Sequence, residues 1–286
     1  MFNEESYVLE TLSCLAGQSS SDFSVLVSDN ASSDKSGEIC ADYCSQDPRF
    51  LYVRHKTNRG ASFNFEYCFK STDSQYFMWL GAHDTISSNY IKRTCSVLDR
   101  QGNISISSSR IVAVDETSTE LGENQIAYYD FSENRRSRYL QSVRWLSDCT
   151  IVNSMFRREH LNTFGFKPVV GADHVLIGRL LWFGNVHYDK ACTYYRRMFS
   201  IRSSTMMARV TGKVGTQPNY EDMIRFQLED IGKLKDYGMP ANFLIRYVIA
   251  KILRARFCGS YLSRPLSMFE RILRLRRVIK RSWGNI

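Results

Sequence analysis

Residues 76–84 read Tyr76-Phe77-Met78-Trp79-Leu80-Gly81-Ala82-His83-Asp84. A run of large apolar residues of this length reads as a buried strand. Gly81 stops it, and Asp84 stands at its carboxyl end. From about residue 88 to 98 the apolar spacing turns helical. Toward the N-terminus the same order of events recurs. Residues 50–53 form a strand, Asn58-Arg59-Gly60 a turn, and a helix continues through Phe69. Residues 23–28 form a strand with β-branched members that ends at Asp29-Asn30, and Ser33-Asp34 then caps a helix through Cys44. Residues 4–15 are helical, with Tyr7/Val8, Thr11/Leu12 and Leu15 on one face. Strand and helix in alternation predict an α/β domain: a mixed, mostly parallel sheet with flanking helices. Ligands of such sheets sit outside the carboxyl ends of the strands. Three loops, at Asp29-Asn30, Asn58-Arg59-Gly60 and His83-Asp84, are therefore expected to meet at one crevice.

Downstream the pattern is less regular. Residues 104–111 read as a strand, 116–124 as a polar loop, 133–146 as a helix and 150–156 as extended. A helix over 175–182 follows Gly171-Ala172-Asp173, and two short strands are expected at 185–188 and 193–199. Residues 201–218 hold turn and breaker residues and read as a linker or mobile loop. Helical patterns cover 220–237, 241–257 and 265–283. The expected organisation is a main domain over 1–200, the linker, and a basic amphipathic helical segment over 219–286.

Apolar residues make up 43% of the 286-residue chain and charged residues 23%, the balance of a globular protein. No apolar run reaches the length of a membrane span, and the first residues do not read as a signal peptide. Eight cysteines occur, with no CxxC pair and no zinc-type spacing, so reduced core thiols are expected. From Arg246 to the end, eleven Lys/Arg stand against one acid, Glu270, a net +10; the chain's +9 leaves −1 for residues 1–245. The basic character belongs to a tail, which argues against nucleic acid as a partner of the main domain. On residues 265–283, Met268, Ile272, Leu275, Ile279 and Trp283 form an apolar stripe, with Arg271, Arg274, Arg277 and Arg281 on another face. Leu244, Val248 and Ile252, with Arg246, Lys251 and Arg254, extend the pattern. Such helices lie on anionic membrane surfaces, and the chain is expected at the cytoplasmic face of a membrane, peripherally bound.

On position alone, Asp84 suits a hard-cation ligand or a cap for the next helix equally well. The motifs in order narrow this. N-E-E at residues 3–5, S-D-N-A-S-S-D at 28–34, N-R-G-A-S-F-N-F at 58–65 and Y-F-M-W-L-G-A-H-D at 76–84 resemble family 2 glycosyltransferases of the GT-A fold. The resemblance is good over residues 1–100 and looser through 184.

It implies transfer of a sugar from a nucleotide-diphosphate donor to a glycan or lipid-linked acceptor in surface polysaccharide synthesis. Inversion at the anomeric carbon and a divalent cation, Mn2+ or Mg2+, held by Asp84 are implied with it. Phe2, Glu4, Asp29, Asn58, Arg59 and Gly60 match donor-binding positions, and Asp173 matches the base that takes the acceptor proton. Two departures stand out. His83 occupies a place where the family usually carries a second aspartate, and its imidazole is a poor magnesium ligand; a contact to phosphate or sugar is expected instead. The apolar strand that precedes N-E-E in the family does not appear in this sequence; either the recorded start lies downstream of the true one, which is the expectation here, or the strand is absent. A non-catalytic member that binds nucleotide-sugar or a partner transferase, and a membrane-surface adaptor, are the competing readings. A nucleotidyltransferase would carry a Gly-rich phosphate loop near the N-terminus, and none is seen.

Overall fold

A computed structural model describes residues 1–199 and 219–258. The expected linker at 201–218 and the expected helix at 265–283 lie outside the described residues. Helix α1 (Val8–Ala16) leads to strand β1 (Val25–Asp29), then α2 (Ser36–Gln46), β2 (Phe50–Arg54) and α3 (Ala61–Lys70). β1 and β2 pair in parallel, Val25 opposite Phe50 and Asp29 opposite Arg54. No strand precedes β1 among the described residues. Met1 lies beside β1, its amine donating to Ser28 O at 2.6 Å and its carbonyl accepting from Asn30 N at 2.9 Å.

The second sheet contains β3 (Tyr76–Phe77), β4 (Thr85–Ile86), β5 (Ile104–Val114), β6 (Glu120–Glu123), β7 (Met155–Arg157) and β8 (Asn185–Arg197). Its order is β3-β7-β5-β8-β4, with β6 added on β5. The sheet is mixed, as expected, and across both sheets most paired residues lie in the two parallel ladders. β5·β8 and β1·β2 are parallel, whereas β3·β7, β5·β7, β4·β8 and β5·β6 are antiparallel. Of the antiparallel pairs only β5·β6 is closed by a short reversal, a connection that permits only an antiparallel neighbour; the others join strands distant in the chain.

Four local expectations are corrected. The strand expected over 76–80 pairs only at Tyr76 and Phe77; Trp79 instead buries its ring and donates Nε1–H to Phe65 O. The polar stretch 116–124 contains β6, because Asp115 accepts from Thr117 N and Thr119 N and so reverses the chain into a hairpin. Residues 150–156 begin as a 3-10 turn (Thr150–Asn153), started by Asp148 accepting from Thr150 N, and only then enter β7. The two strands expected at 185–199 are one, β8, with an irregularity where Ser109 and Arg110 of β5 shift register against it.

The helices are α4 (Tyr90–Arg100), α5 (Arg135–Trp145), α6 (Ala172–Phe183), α7 (Tyr220–Lys233) and α8 (Phe243–Phe257). Every residue from Val175 to Trp182 of α6 is buried. A helix enclosed on all sides needs no polar face, and α6 is covered by β5, β8, α5 and α7. Its one charge along that stretch, Arg179, pairs with Asp230 of α7 at 2.6 Å and donates to His160 O at 2.8 Å. Helix α8 packs on α5 and α7. Ile249, Ala250 and Leu253 form its buried face, while Phe243, Leu244, Tyr247 and Val248 stay exposed. No described helix is long and apolar enough to cross a membrane. All eight cysteines are free thiols.

Candidate active site

Asp29 ends β1 with its side chain wholly buried. One carboxylate oxygen accepts from Ser32 N (2.9 Å) and Ser32 Oγ (2.6 Å), the other from Tyr52 Oη (2.8 Å), with Arg54 at 3.7 Å. It closes the loop after β1 as an Asx turn does. Asn30 fastens that loop to the next. Its amide donates to Asn58 Oδ1 at 2.8 Å and Gly60 O at 3.2 Å, and its carbonyl accepts from Arg59 N at 2.9 Å. Asn58 also accepts from Gly60 N at 2.9 Å. Gly60 precedes α3 at φ +83°, a conformation that favours glycine. The guanidinium of Arg59 lies 3.6 Å above the ring of Phe63.

The N-terminal segment joins the same network. Asn3 Oδ1 accepts from Ser33 N, and Glu4 N donates to Ser36 Oγ. Phe2, between these anchors and Met1, keeps 43% of its surface exposed. Glu4 Oε1 lies 3.0 Å from His83 Nδ1, which ties the N-terminus to the loop after β3.

Asp84 is 4% exposed. One oxygen accepts from Tyr194 Oη at 2.5 Å and the other from Arg197 N at 2.7 Å. Burial raises its pKa against the opposing pull of His83, Tyr194, Arg197 N–H and Arg196. Burial and the adjacent Asp84 together push the Tyr194 hydroxyl far above its ordinary range. Each Asp84 oxygen has a lone pair beyond the bond it accepts. A desolvated carboxylate held mainly by neutral donors fits a divalent cation, and one carboxylate with phosphate oxygens is a sufficient protein share for Mg2+ or Mn2+. The His83 Nε2 nitrogen stands 4.0 Å from Asp84 Oδ1.

Asp173 belongs to a second cluster. It is in the first turn of α6, whose N-cap is Gly171 at φ +82°. Its carboxylate accepts from the neighbouring His174 N–H at 3.0 Å. Donor atoms of Cys149, Asp173 and His174 all lie within 4.8 Å of one another. Burial, reinforced by Asp173, drives the Cys149 thiol pKa well up. Burial lowers that of His174, with Asp173 opposing and Arg256 assisting. Arg196 links the two clusters: it acts on Asp84 and donates to Thr150 Oγ1 at 2.7 Å, one residue from Cys149.

The structure thus gathers Glu4, Asp29, Asn58, Arg59, Gly60, His83 and Asp84 into one bonded set of strand-end loops. Asp173 is not part of that bonded set; it lies with Cys149 and His174. Sequence reasoning did not find the partners Tyr194 and Arg197 of Asp84. They are 110 and 113 residues away along the chain, and no local spacing signals such a pairing.

A family model described as glycosyl transferase family 2 matches residues 1–165. EpsJ, an uncharacterized glycosyltransferase of Bacillus subtilis (strain 168), is 30% identical over 93 residues, which are 32% of this chain and 27% of that one. The match therefore spans about a quarter of the curated relative. Among solved structures, S. aureus TarS 1–349 in complex with UDP-GlcNAc superposes with TM-score 0.64 at 17% identity, over 90% of this chain and 71% of that one. The UDP complex of the same protein gives 0.62 at 18%, over 95% and 75%. These structural likenesses establish the fold.

Proposed function

Since the chain belongs to glycosyl transferase family 2 and is a glycosyltransferase, we propose that it transfers a sugar from a nucleotide-diphosphate donor to a glycan or lipid-linked acceptor in cell-surface glycan synthesis, with inversion. The observation that carries this is the bonding of three strand-end loops to one another through Asn30 and through the Glu4–His83 pair. A donor needs such a fixed rim, because base, diphosphate and sugar must be held together for in-line attack. Glu4, Asn58, Arg59 and Gly60 form the nucleotide side, and the enclosed Asp29 holds the loop after β1 in place for them. The exposed ring of Phe2 is available to stack on the base. His83 faces phosphate or sugar.

Asp84 would hold the Mn2+ or Mg2+, which neutralises charge growing on the departing diphosphate. The acceptor hydroxyl oxygen forms its bond to the anomeric carbon while the bond from that carbon to the diphosphate oxygen breaks. The hydroxyl proton passes to the Asp173 carboxylate, and the electron pair leaves with the nucleotide diphosphate. Because TarS was solved with UDP-GlcNAc and UDP, uridine diphosphate sugars are the first donors to screen. Exposed Phe243, Leu244 and Tyr247 on α8, with the net +10 carried from Arg246 to the end of the chain, support a location on the anionic cytoplasmic membrane surface.

The test is a donor screen by calorimetry and transfer assay, with Mn2+ and Mg2+ compared. Asp84→Asn loses metal-dependent donor binding. Asp173→Asn keeps binding and drops turnover by about 100-fold or more, the scale of a general base. Normal turnover by Asp173→Asn would remove it as the base. The enclosure of Asp84 by Tyr194 and Arg197 favours one competing reading, a member that binds donor without transferring. Binding of UDP-sugar with neither transfer nor metal-dependent donor hydrolysis would select that reading.

A further inference from the structure

We propose that Cys149, Asp173 and His174 form a second cation site, for a thiolate-seeking divalent ion such as zinc, whose occupation shuts off transfer. The inhibitory part rests on the reading of Asp173 as the base; the metal site does not.

The geometry comes first. One sulfur, one carboxylate oxygen and one imidazole nitrogen lie within 4.8 Å of one another. Zinc bonds of about 2.0–2.3 Å in a tetrahedron set neighbouring ligands roughly 3.4–3.7 Å apart. The widest pair therefore closes by about 1 Å, within reach of side-chain rotation alone. Among the described residues no other group of three His, Cys, Asp or Glu side chains converges in this way.

The frame beneath the three side chains is fixed from both sides. Asp148 accepts from Thr150 N at 2.7 Å and Arg196 donates to Thr150 Oγ1 at 2.7 Å, which pins the backbone next to Cys149. Asp173 and His174 ride on the first turn of α6 behind Gly171. A Cβ at Gly171 would collide with Met223 Sδ, so this turn is seated tightly on α7.

The donor set discriminates between cations. Sulfur and imidazole suit zinc and run against the preference of magnesium for oxygen. The Asp84 site offers oxygen ligands, so the two places sort ions by softness. Charge also balances: a thiolate and a carboxylate offset Zn2+, His174 binds neutral, and the thiol proton goes to solvent. Arg256 acts on both Cys149 and His174 and opposes a cation. It is occupied by the carbonyls of Val143 and Leu146. Three protein ligands leave the fourth position to water, the arrangement of an open zinc site. A cation there engages the carboxylate that must receive the acceptor proton, and leaves the donor rim untouched.

The experiment uses the full chain, without donor, titrated with Co2+ as a coloured substitute for zinc. One equivalent is expected to bind with a sulfur-to-cobalt charge-transfer band that added Zn2+ bleaches. Cys149→Ser abolishes the band although seven other cysteines remain. His174→Gln weakens zinc binding by more than about 100-fold, since a direct ligand exceeds the 10–100-fold of outer-shell partners. Zinc then inhibits transfer without changing donor affinity. A native chain with no band, a band that survives Cys149→Ser, or zinc affinity unchanged in His174→Gln overturns the site. The band reads independently of sugar transfer. Full activity of Asp173→Asn would remove the base and the inhibition while leaving the metal site standing.

Discussion

At the scale of single residues, one close constraint beside Asp84 falls on a residue with no side chain. A Cβ at Gly81 would lie 2.7 Å from Asp84 Oδ2 and 3.3 Å from its Cγ. That oxygen cannot swing aside freely, because Tyr194 Oη holds it at 2.5 Å. Gly81→Ala should therefore lower stability by about 1–3 kcal/mol through overpacking and weaken metal-dependent donor binding at least 10-fold. Gly102 provides the control, since nothing lies within 4 Å of a Cβ there; Gly102→Ala should stay within about 0.5 kcal/mol. Thermal unfolding and donor calorimetry on the pair check this, and equal behaviour of the two variants would refute it. The sequence showed Gly81 only as a strand breaker. Its role beside Asp84 became visible once the carboxylate was placed.

At the scale of elements, α8 has two faces with different demands. Ile249, Ala250 and Leu253 anchor it to the body, whereas Phe243 is 83% and Leu244 64% exposed. Replacing both exposed residues by Glu should leave the unfolding midpoint nearly unchanged, because neither contributes to the core. Cosedimentation with vesicles containing anionic lipid should fall several-fold. Undiminished vesicle binding would count against this face as the membrane contact. Helices were the elements most legible in the sequence: α2, α4, α5 and α6 each fall close to their expected spans, since a 3.6-residue period over ten or more residues is a repeated signal. Short strands carry little of that signal. β6 is four residues without a hydrophobic run, and β3 loses its ladder after two residues, a fact set by its neighbours rather than by its own composition. The candidate loops were legible for the related reason that turn residues follow strands. Their cross-links through Asn30, Tyr194 and Arg197 join distant segments and left no local trace.

At the scale of the whole molecule, pH reports on the interior. His160 stacks on Phe183 with ring centres 4.6 Å apart, and its Nδ1 lies 2.6 Å from Ser105 Oγ. Burial first, then Arg157 and Arg179, push its pKa down from 6.5 to about 4. The unfolded chain takes up this proton near pH 6.5 and the folded chain does not. Stability from the neutral imidazole is therefore complete above pH 6.5 and is lost as pH falls toward 4, by at most about 3 kcal/mol. His160→Gln should flatten that part of the stability curve relative to the native chain, as measured by urea unfolding at pH 7 and pH 4.5. Parallel curves for the two proteins would show that the histidine does not titrate as described.

Arg197 ends β8 with its side chain almost fully enclosed. Its guanidinium donates to His83 O, Asp115 O, Glu116 O, Ser118 Oγ and Glu10 Oε2, while its backbone N–H holds Asp84. Five acceptors from α1, the β5–β6 hairpin and the loop after β3 thus share one planar cation. Lysine has the charge but only three donors on a single point, and cannot span them. In a saturation library selected for folded protein alone, position 197 should accept no replacement, lysine included, while the stacked surface Arg59 tolerates many. The tolerance map of the gene would then mark this residue as sharply as any that touches sugar.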